Sequence, residues 1–410
     1  MVCPMGKKNP RQESTTEYPF EPLYRPWSWA LSSFSNILLF AVLFAVMYIM
    51  YRQRKTKGKR EVSYRTVESK QAEAMKSEGK IKAVVTGGSG SLGKQIVRCL
   101  IEDGNYLIYS LDLFIPDEEV RNDDVFSYIQ ADILDKDSLR IALKDAEVVF
   151  HTASIIPTFV GYTKQDFYDV IATGTDNIVS VCKELRVKRL IYTSSVNAML
   201  RKNQTVDNLD ETTPYPEEPR ESYGSAKIVA EKNVLGTNGV DGILTCALRP
   251  CFIADSKSIK GFGLLYFGDG LYKQMLIPND TAARIHLLVE KKLQAEGLAS
   301  KIAGKVYIVG FEDSFTHREF AEFVASEKDG EVGGSIPIWV LKLMVYFNEY
   351  VYRVIGKAPI SPMLRIDMFD LMTKSHTYSS ALGRKEIGWE DPRSWKDVVR
   401  ELIKASKKDN

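Results

Sequence analysis

Ile81-Lys82-Ala83-Val84-Val85-Thr86-Gly87-Gly88-Ser89-Gly90-Ser91-Leu92-Gly93 decides the fold of this chain. A short β-branched apolar run leads into a glycine-rich turn. A helical pattern then runs over 94–102 and stops at Gly104. Strand, glycine turn and helix in that order put a helix N-terminus directly after a tight turn. Gly87, Gly90 and Gly93 let the backbone fold sharply and approach a pyrophosphate. The N–H groups of Ser91, Leu92 and Gly93 would then hold it. A second strand over 106–111 ends at Asp112, 19 residues past the last glycine. An acid there suits the ribose hydroxyls of adenosine and repels a 2′-phosphate, which favours NAD over NADP.

Outward from this stretch, strand-like and helix-like segments alternate. Strands are expected over 126–130, 148–152, 189–193 and 242–248, and helices over 137–144, 166–185 and 222–235. Strict alternation predicts an α/β, doubly wound parallel sheet with helices on both faces.

Tyr223-Gly224-Ser225-Ala226-Lys227 opens the last of these helices. Spacing i, i+4 puts Tyr223 and Lys227 on one face. A free tyrosine, with a pKa of about 10, is a poor base at neutral pH. A nearby ammonium is expected to lower that value, so that Tyr223 can take the proton of an alcohol losing hydride. Ser194 and Ser195 end the strand over 189–193, where ligands bind in doubly wound sheets.

The glycine turn together with Tyr223-x-x-x-Lys227 resembles the extended short-chain dehydrogenase/reductase superfamily. Within it, the chain is most similar to the 3β-hydroxysteroid dehydrogenase branch, which includes the Δ5-steroid dehydrogenase/isomerases and the sterol-4α-carboxylate 3-dehydrogenases. The likeness covers about residues 81–400. Its further marks are His151-Thr152-Ala153, Tyr192-Thr193-Ser194-Ser195, Arg249-Pro250 and Gly304-Lys305-Val306-Tyr307. The resemblance implies a Rossmann-type sheet with a smaller C-terminal substrate-binding subdomain. It implies Tyr223 as acid/base, Lys227 as its partner and ribose ligand, and Ser195 as donor to the substrate oxygen, with Ser194 as fallback. It also implies that Asp132-Ile133 meets the adenine and that Ala153 lies along the cofactor. His151 reads as a core residue. The implied activity is oxidation of a 3β-hydroxyl of a steroid or sterol. A nucleotide-sugar epimerase or dehydratase of the same fold and a non-catalytic NAD-binding membrane protein are the alternatives. Where the superfamily often has a Gly-Pro turn, this chain has Cys251-Phe252-Ile253-Ala254-Asp255, a departure on the substrate side. Apolar wealth over 262–275 and 336–347 suits a flat apolar ligand. The second run is short for a membrane span and reads as an interfacial or core helix.

The 410 residues carry a net charge of +2, which argues against nucleic-acid binding. That total conceals a segregation. Residues 1–80 hold 14 Lys+Arg against 7 Asp+Glu, net +7, and the remainder is net −5. Pro26 to Tyr51 contains no charge, long enough to span a bilayer. Trp27 and Trp29 at one end and Tyr48 and Tyr51 at the other fit an interfacial belt. Six basic residues, Arg52 to Arg60, follow the run. They predict a single-pass anchor with the body in the cytosol. Lys407-Lys408-Asp409-Asn410 resembles a dilysine retrieval signal and points to the endoplasmic reticulum. The expected organisation is a tail (1–26), a transmembrane helix (27–51), a basic linker (52–80) that joins no core, an NAD-binding domain (81–250), a mainly substrate-binding subdomain (251–400) and a basic tail (401–410). Five widely spaced cysteines give no CxxC or metal-ligand pattern. No metal is expected, and a homodimer is left open.

Overall fold

The computed structural model describes residues 65–67, 79–115, 125–157, 162–219, 221–261, 265–328, 330–355 and 364–408. The expected tail (1–26) and transmembrane helix (27–51) lie outside them. Among the described residues, no helix is long and apolar enough to cross a membrane.

The large sheet contains β1 (Arg65–Val67), β2 (Ile81–Thr86), β3 (Tyr106–Asp112), β4 (Phe126–Gln130), β5 (Val148–His151), β6 (Arg189–Thr193), β7 (Leu244–Pro250) and β8 (Lys305–Val309). Their order in space is β1-β4-β3-β2-β5-β6-β7-β8. All neighbours are parallel except β1, which pairs antiparallel with β4. Strand order reverses at β2, with β3 on one side and β5 on the other. The carboxyl ends of these strands therefore border the crevice where doubly wound sheets bind ligands.

Alternation along β2 explains the two-faced core. Val84 faces one layer with Leu107, Leu139, Val149, Phe167, Ile178 and Leu190. Ala83 and Val85 face the other with Ile96, Leu100, Ile108, Phe150, Ile285 and Trp389. All three strand residues are fully buried, as a strand covered on both sides requires. The first face carries α2 (Lys136–Ala142), α3 (Lys164–Glu184) and α4 (Ser222–Gly236), and the second α1 (Ser91–Asp103) and α5 (Asn279–Glu296). Gly104, at φ 78°, closes α1 with its N–H bonded to Leu100, the left-handed stop expected at that residue.

Three expectations need correction. The linker over 52–80 does join the sheet, through β1. An edge strand is held by backbone hydrogen bonds, so it needs no apolar side chains. Helix α3 is interrupted by a π turn over Tyr168–Thr173. Division of the chain at residue 250 does not divide the sheet, because β8 pairs with β7 from Lys305–Cys246 to Val309–Pro250, and α5 covers the sheet face.

The remaining C-terminal segments form two smaller clusters. Phe311, Phe315, Phe320 and Trp395 join α6 (His317–Glu327) to α9 (Trp395–Lys408). Leu341, Val345, Met368 and Met372 join α7 (Ile338–Ile355) to α8 (Ile366–Thr373).

Candidate active site

The glycine turn is shaped by backbone crowding. Gly87 has φ 71°, and a Cβ there would lie 2.8 Å from the Ala153 backbone. A Cβ on Gly93 would stand against the Gly87 carbonyl oxygen, with Gly88 Cα at 2.7 Å. Gly90 N donates to Gly87 O at 2.9 Å. Gly90 caps α1 without a side-chain bond, and the first turn holds no acid. Its N–H groups therefore keep the positive, donor-rich end that an anion seeks. A pyrophosphate fits this cradle.

Ser91 and Leu92 can contribute only their N–H groups. The Ser91 hydroxyl donates to Asp255 and accepts from Asn279, and the Leu92 side chain is buried in the core. Asp112 ends β3 beside the turn. Its carboxylate accepts from Ser89 N at 3.0 Å and from Leu113 N at 2.8 Å. Burial pushes its pKa up, against the pull of these amides. Asp132 accepts from Leu134 N at 2.9 Å and closes the turn after β4. The Ile133 side chain is buried, close to Gly174.

Across the crevice, Tyr223 and Lys227 occupy the first two turns of α4, 8% and 2% exposed. The Tyr223 side chain lies close enough to the Ser195 hydroxyl for it to pull the phenol pKa down, and its ring meets Phe167 edge-on at 6.2 Å. Ser195 Oγ also accepts from Asn197 N at 3.2 Å. Ser194, by contrast, has a buried hydroxyl without a partner. Of the two strand-end serines, Ser195 is the one whose hydroxyl acts on Tyr223. Lys227 Nζ donates to Thr193 O at 2.7 Å and lies 4.9 Å from the Tyr192 ring centroid and 5.8 Å from that of Tyr223.

The expected lowering of the Tyr223 pKa is not what the geometry gives. Burial pushes it up, the Ser195 hydroxyl pulls it down, and Glu221 adds a raising charge. Lys227 is instead the group that moves down, to about 7, because burial disfavours its ammonium while Glu231 acts the other way. His151 is a core histidine as expected. It bonds Thr86 at 2.7 Å and Thr175 at 2.9 Å, and burial lowers it to about 3.

Two supporting groups went unassigned in the sequence. Glu231 follows Lys227 by another four residues and is fully buried. Arg249 grips it at 2.5 and 3.0 Å, and the Tyr215 hydroxyl donates to it at 2.6 Å. Continuing the i, i+4 series would have found it. Asn197 links the serines to α4 by donating to Glu221 at 2.8 Å. A Cβ on Gly224 would lie 2.6 Å from its carbonyl oxygen, which explains the glycine after Tyr223. Removing Glu231 strands a buried guanidinium. Glu231→Ala is expected to cost about 3–5 kcal/mol, read as a lower denaturant midpoint, with Glu231→Gln costing less.

A family model described as the 3-beta hydroxysteroid dehydrogenase/isomerase family matches residues 84–331. The chain is 27% identical over 351 residues to a 3beta-hydroxysteroid-dehydrogenase/decarboxylase, isoform 2, of Arabidopsis thaliana, covering 78% of this chain and 61% of that protein. It is 29% identical over 355 residues to a 3 beta-hydroxysteroid dehydrogenase/Delta 5→4-isomerase of Mycobacterium tuberculosis, covering 78% of this chain and 89% of that one. Among solved structures, a UDP-glucuronic acid 4-epimerase from Bacillus cereus, in complex with UDP-glucuronic acid and NAD, superposes with TM-score 0.62 at 16% identity, over 80% of this chain and all of that one. This last likeness is one of fold.

Proposed function

The chain belongs to the 3-beta hydroxysteroid dehydrogenase/isomerase family, and from that premise we propose that it oxidises the 3β-hydroxyl of a steroid or sterol to a ketone, with NAD as hydride acceptor. The observation that carries this reading is Tyr223 beside Ser195, with Lys227 one turn on along α4 and bonded to the Thr193 carbonyl at the end of β6. Asp112 at the end of β3 supports NAD over NADP.

Bond directions assign the protons. Ser195 Oγ accepts from Asn197 N, which leaves its own O–H to serve as a donor, to the Tyr223 oxygen or to a substrate oxygen fixed beside it. Tyr223 takes the alcohol proton as hydride leaves the carbon. Lys227, held by the Thr193 carbonyl, gives up a proton near pH 7, which leaves the pair one proton short and able to take that of the alcohol. NAD, when bound, takes up the hydride, and its pyrophosphate would rest on the N–H groups of Ser91, Leu92 and Gly93.

The same reading places the enzyme at the endoplasmic-reticulum membrane, anchored through 27–51 with its body in the cytosol. Helix α7 supports a second membrane contact. Its face opposite Leu341 and Val345 leaves Trp339, Leu343, Tyr346, Phe347 and Tyr350 exposed, the residue types that favour a bilayer interface. A mouth there would admit a sterol from the lipid. Deleting 1–60 should leave part of the protein membrane-bound, and complete release would refute this contact.

The deciding test for the activity is incubation with NAD and a panel of 3β-hydroxysterols, following reduced cofactor by absorbance. Turnover with at least one sterol is expected. NADH binding with no turnover on any of them would favour the non-catalytic alternative, and turnover of a nucleotide sugar would favour the epimerase.

A further inference from the structure

Asp255, in the substrate-side departure from the superfamily turn, meets the nucleotide turn. It follows the strand Phe252–Ala254 and precedes the short helix Ser256–Gly261. One carboxylate oxygen accepts from Ser258 N at 2.6 Å, and Asp255 N donates to Ser258 Oγ at 2.8 Å. The other oxygen accepts from the hydroxyl of Ser91, the first residue of α1. Asn279 fixes Ser91 from the far side, donating to its hydroxyl at 2.8 Å and its carbonyl at 2.9 Å. Asn279 is 6% exposed, and its own Oδ1 has no partner.

The first turn of α1 holds no acid, and the helix has no side-chain cap of its own. A carboxylate 164 residues further along the chain therefore stands at its N-terminal end, where an anion is favoured. We infer that Asp255 is an affinity-determining residue for the nucleotide. It is an internal anion, stationed by Ser91, that opposes the incoming pyrophosphate and so sets how readily the nucleotide leaves. The inference rests on the proposed NAD reading. It assigns Asp255 more than the capping of its own helix, since its second oxygen is committed to α1 and not to residues 256–261.

Charge and capping can be separated. Asparagine and serine cap helices about as well as aspartate but carry no charge. NADH and ADP binding to the full chain would be measured by calorimetry for the native protein, Asp255→Asn and Asp255→Ser, at low and high salt. Both variants should bind both ligands more tightly, by about three- to tenfold, the scale of one like-charge repulsion near a protein surface. The difference should shrink at high salt. ADP tests the pyrophosphate without the nicotinamide. Unchanged or weaker binding by both variants would overturn the inference and leave Asp255 a scaffold residue. Failure of the native protein to bind NADH at all would instead overturn the dehydrogenase reading, and this inference with it.

Discussion

Tyr223→Phe is expected to lower sterol oxidation by about 10²–10⁴-fold, the range of a lost general acid–base group, while NADH binding stays within a few-fold of native. The change removes one hydroxyl from a ring that otherwise packs on Phe167, so the fold should survive. The pH profile tests the role more closely. Tyr223 is pushed up by burial and Lys227 is drawn down to about 7. As parts of one proton-accepting site, they have their protons counted together. Loss of one proton near pH 7 can leave either phenol with amine or phenolate with ammonium, and these two arrangements hold the same number of protons. The basic form of the pair therefore accumulates above about pH 7, although neither residue alone is a neutral-pH base. Accordingly, kcat/KM should rise about tenfold per pH unit below pH 7 and level off above it. In Lys227→Met only the phenol remains, and its limb should move above the ordinary tyrosine value of about 10. A limb still near pH 7 in that variant would show that the lysine has no part in the ionisation.

This pair also marks what the sequence could carry and what it could not. Tyr223-x-x-x-Lys227 was legible because helical spacing alone sets its face. The direction of each pKa was not, since it depends on burial created by α3 and by the strands beneath. The glycine turn was legible because local backbone crowding dictates its residues. The strand over 305–309 was missed as a sheet member, since its partner β7 lies more than 50 residues earlier and nothing local to the run announces the pairing. Strand β1 was hidden for a different reason. It pairs with β4 through backbone groups, which every sequence possesses. The π turn in α3 escaped because its residues fit an ordinary helix. The third-turn partner Glu231 could have been found by extending the spacing, but its grip on Arg249 joins a helix to a strand. Asp255 meets Ser91 only once β7 and α5 have brought the substrate-side segment back over the nucleotide turn.

Gly93→Ala carries the second large effect, and geometry sets its sign. The added methyl would stand against the Gly87 carbonyl oxygen, with Gly88 Cα at 2.7 Å and Gly87 C at 2.8 Å. All three are backbone atoms, so no side chain can swing aside. Either the turn opens or α1 moves away from it. The overpacking should cost about 1–3 kcal/mol of stability. Both escapes withdraw the N–H groups of Ser91 and Leu92 from an anion, so NADH affinity should fall further than stability does, by about 10²-fold or more, the scale of one or two charge-assisted hydrogen bonds. Gly104→Ala serves as the control. Gly104 also needs a positive φ, 78°, but has nothing within 4 Å of its Cβ position. That change should cost about 1 kcal/mol through backbone strain and leave NADH binding untouched. Calorimetric titration of the two variants separates a damaged fold from a damaged cradle. Equal losses of affinity in both would mean that binding merely follows stability. Native affinity in Gly93→Ala would mean that the pyrophosphate rests elsewhere than on this turn.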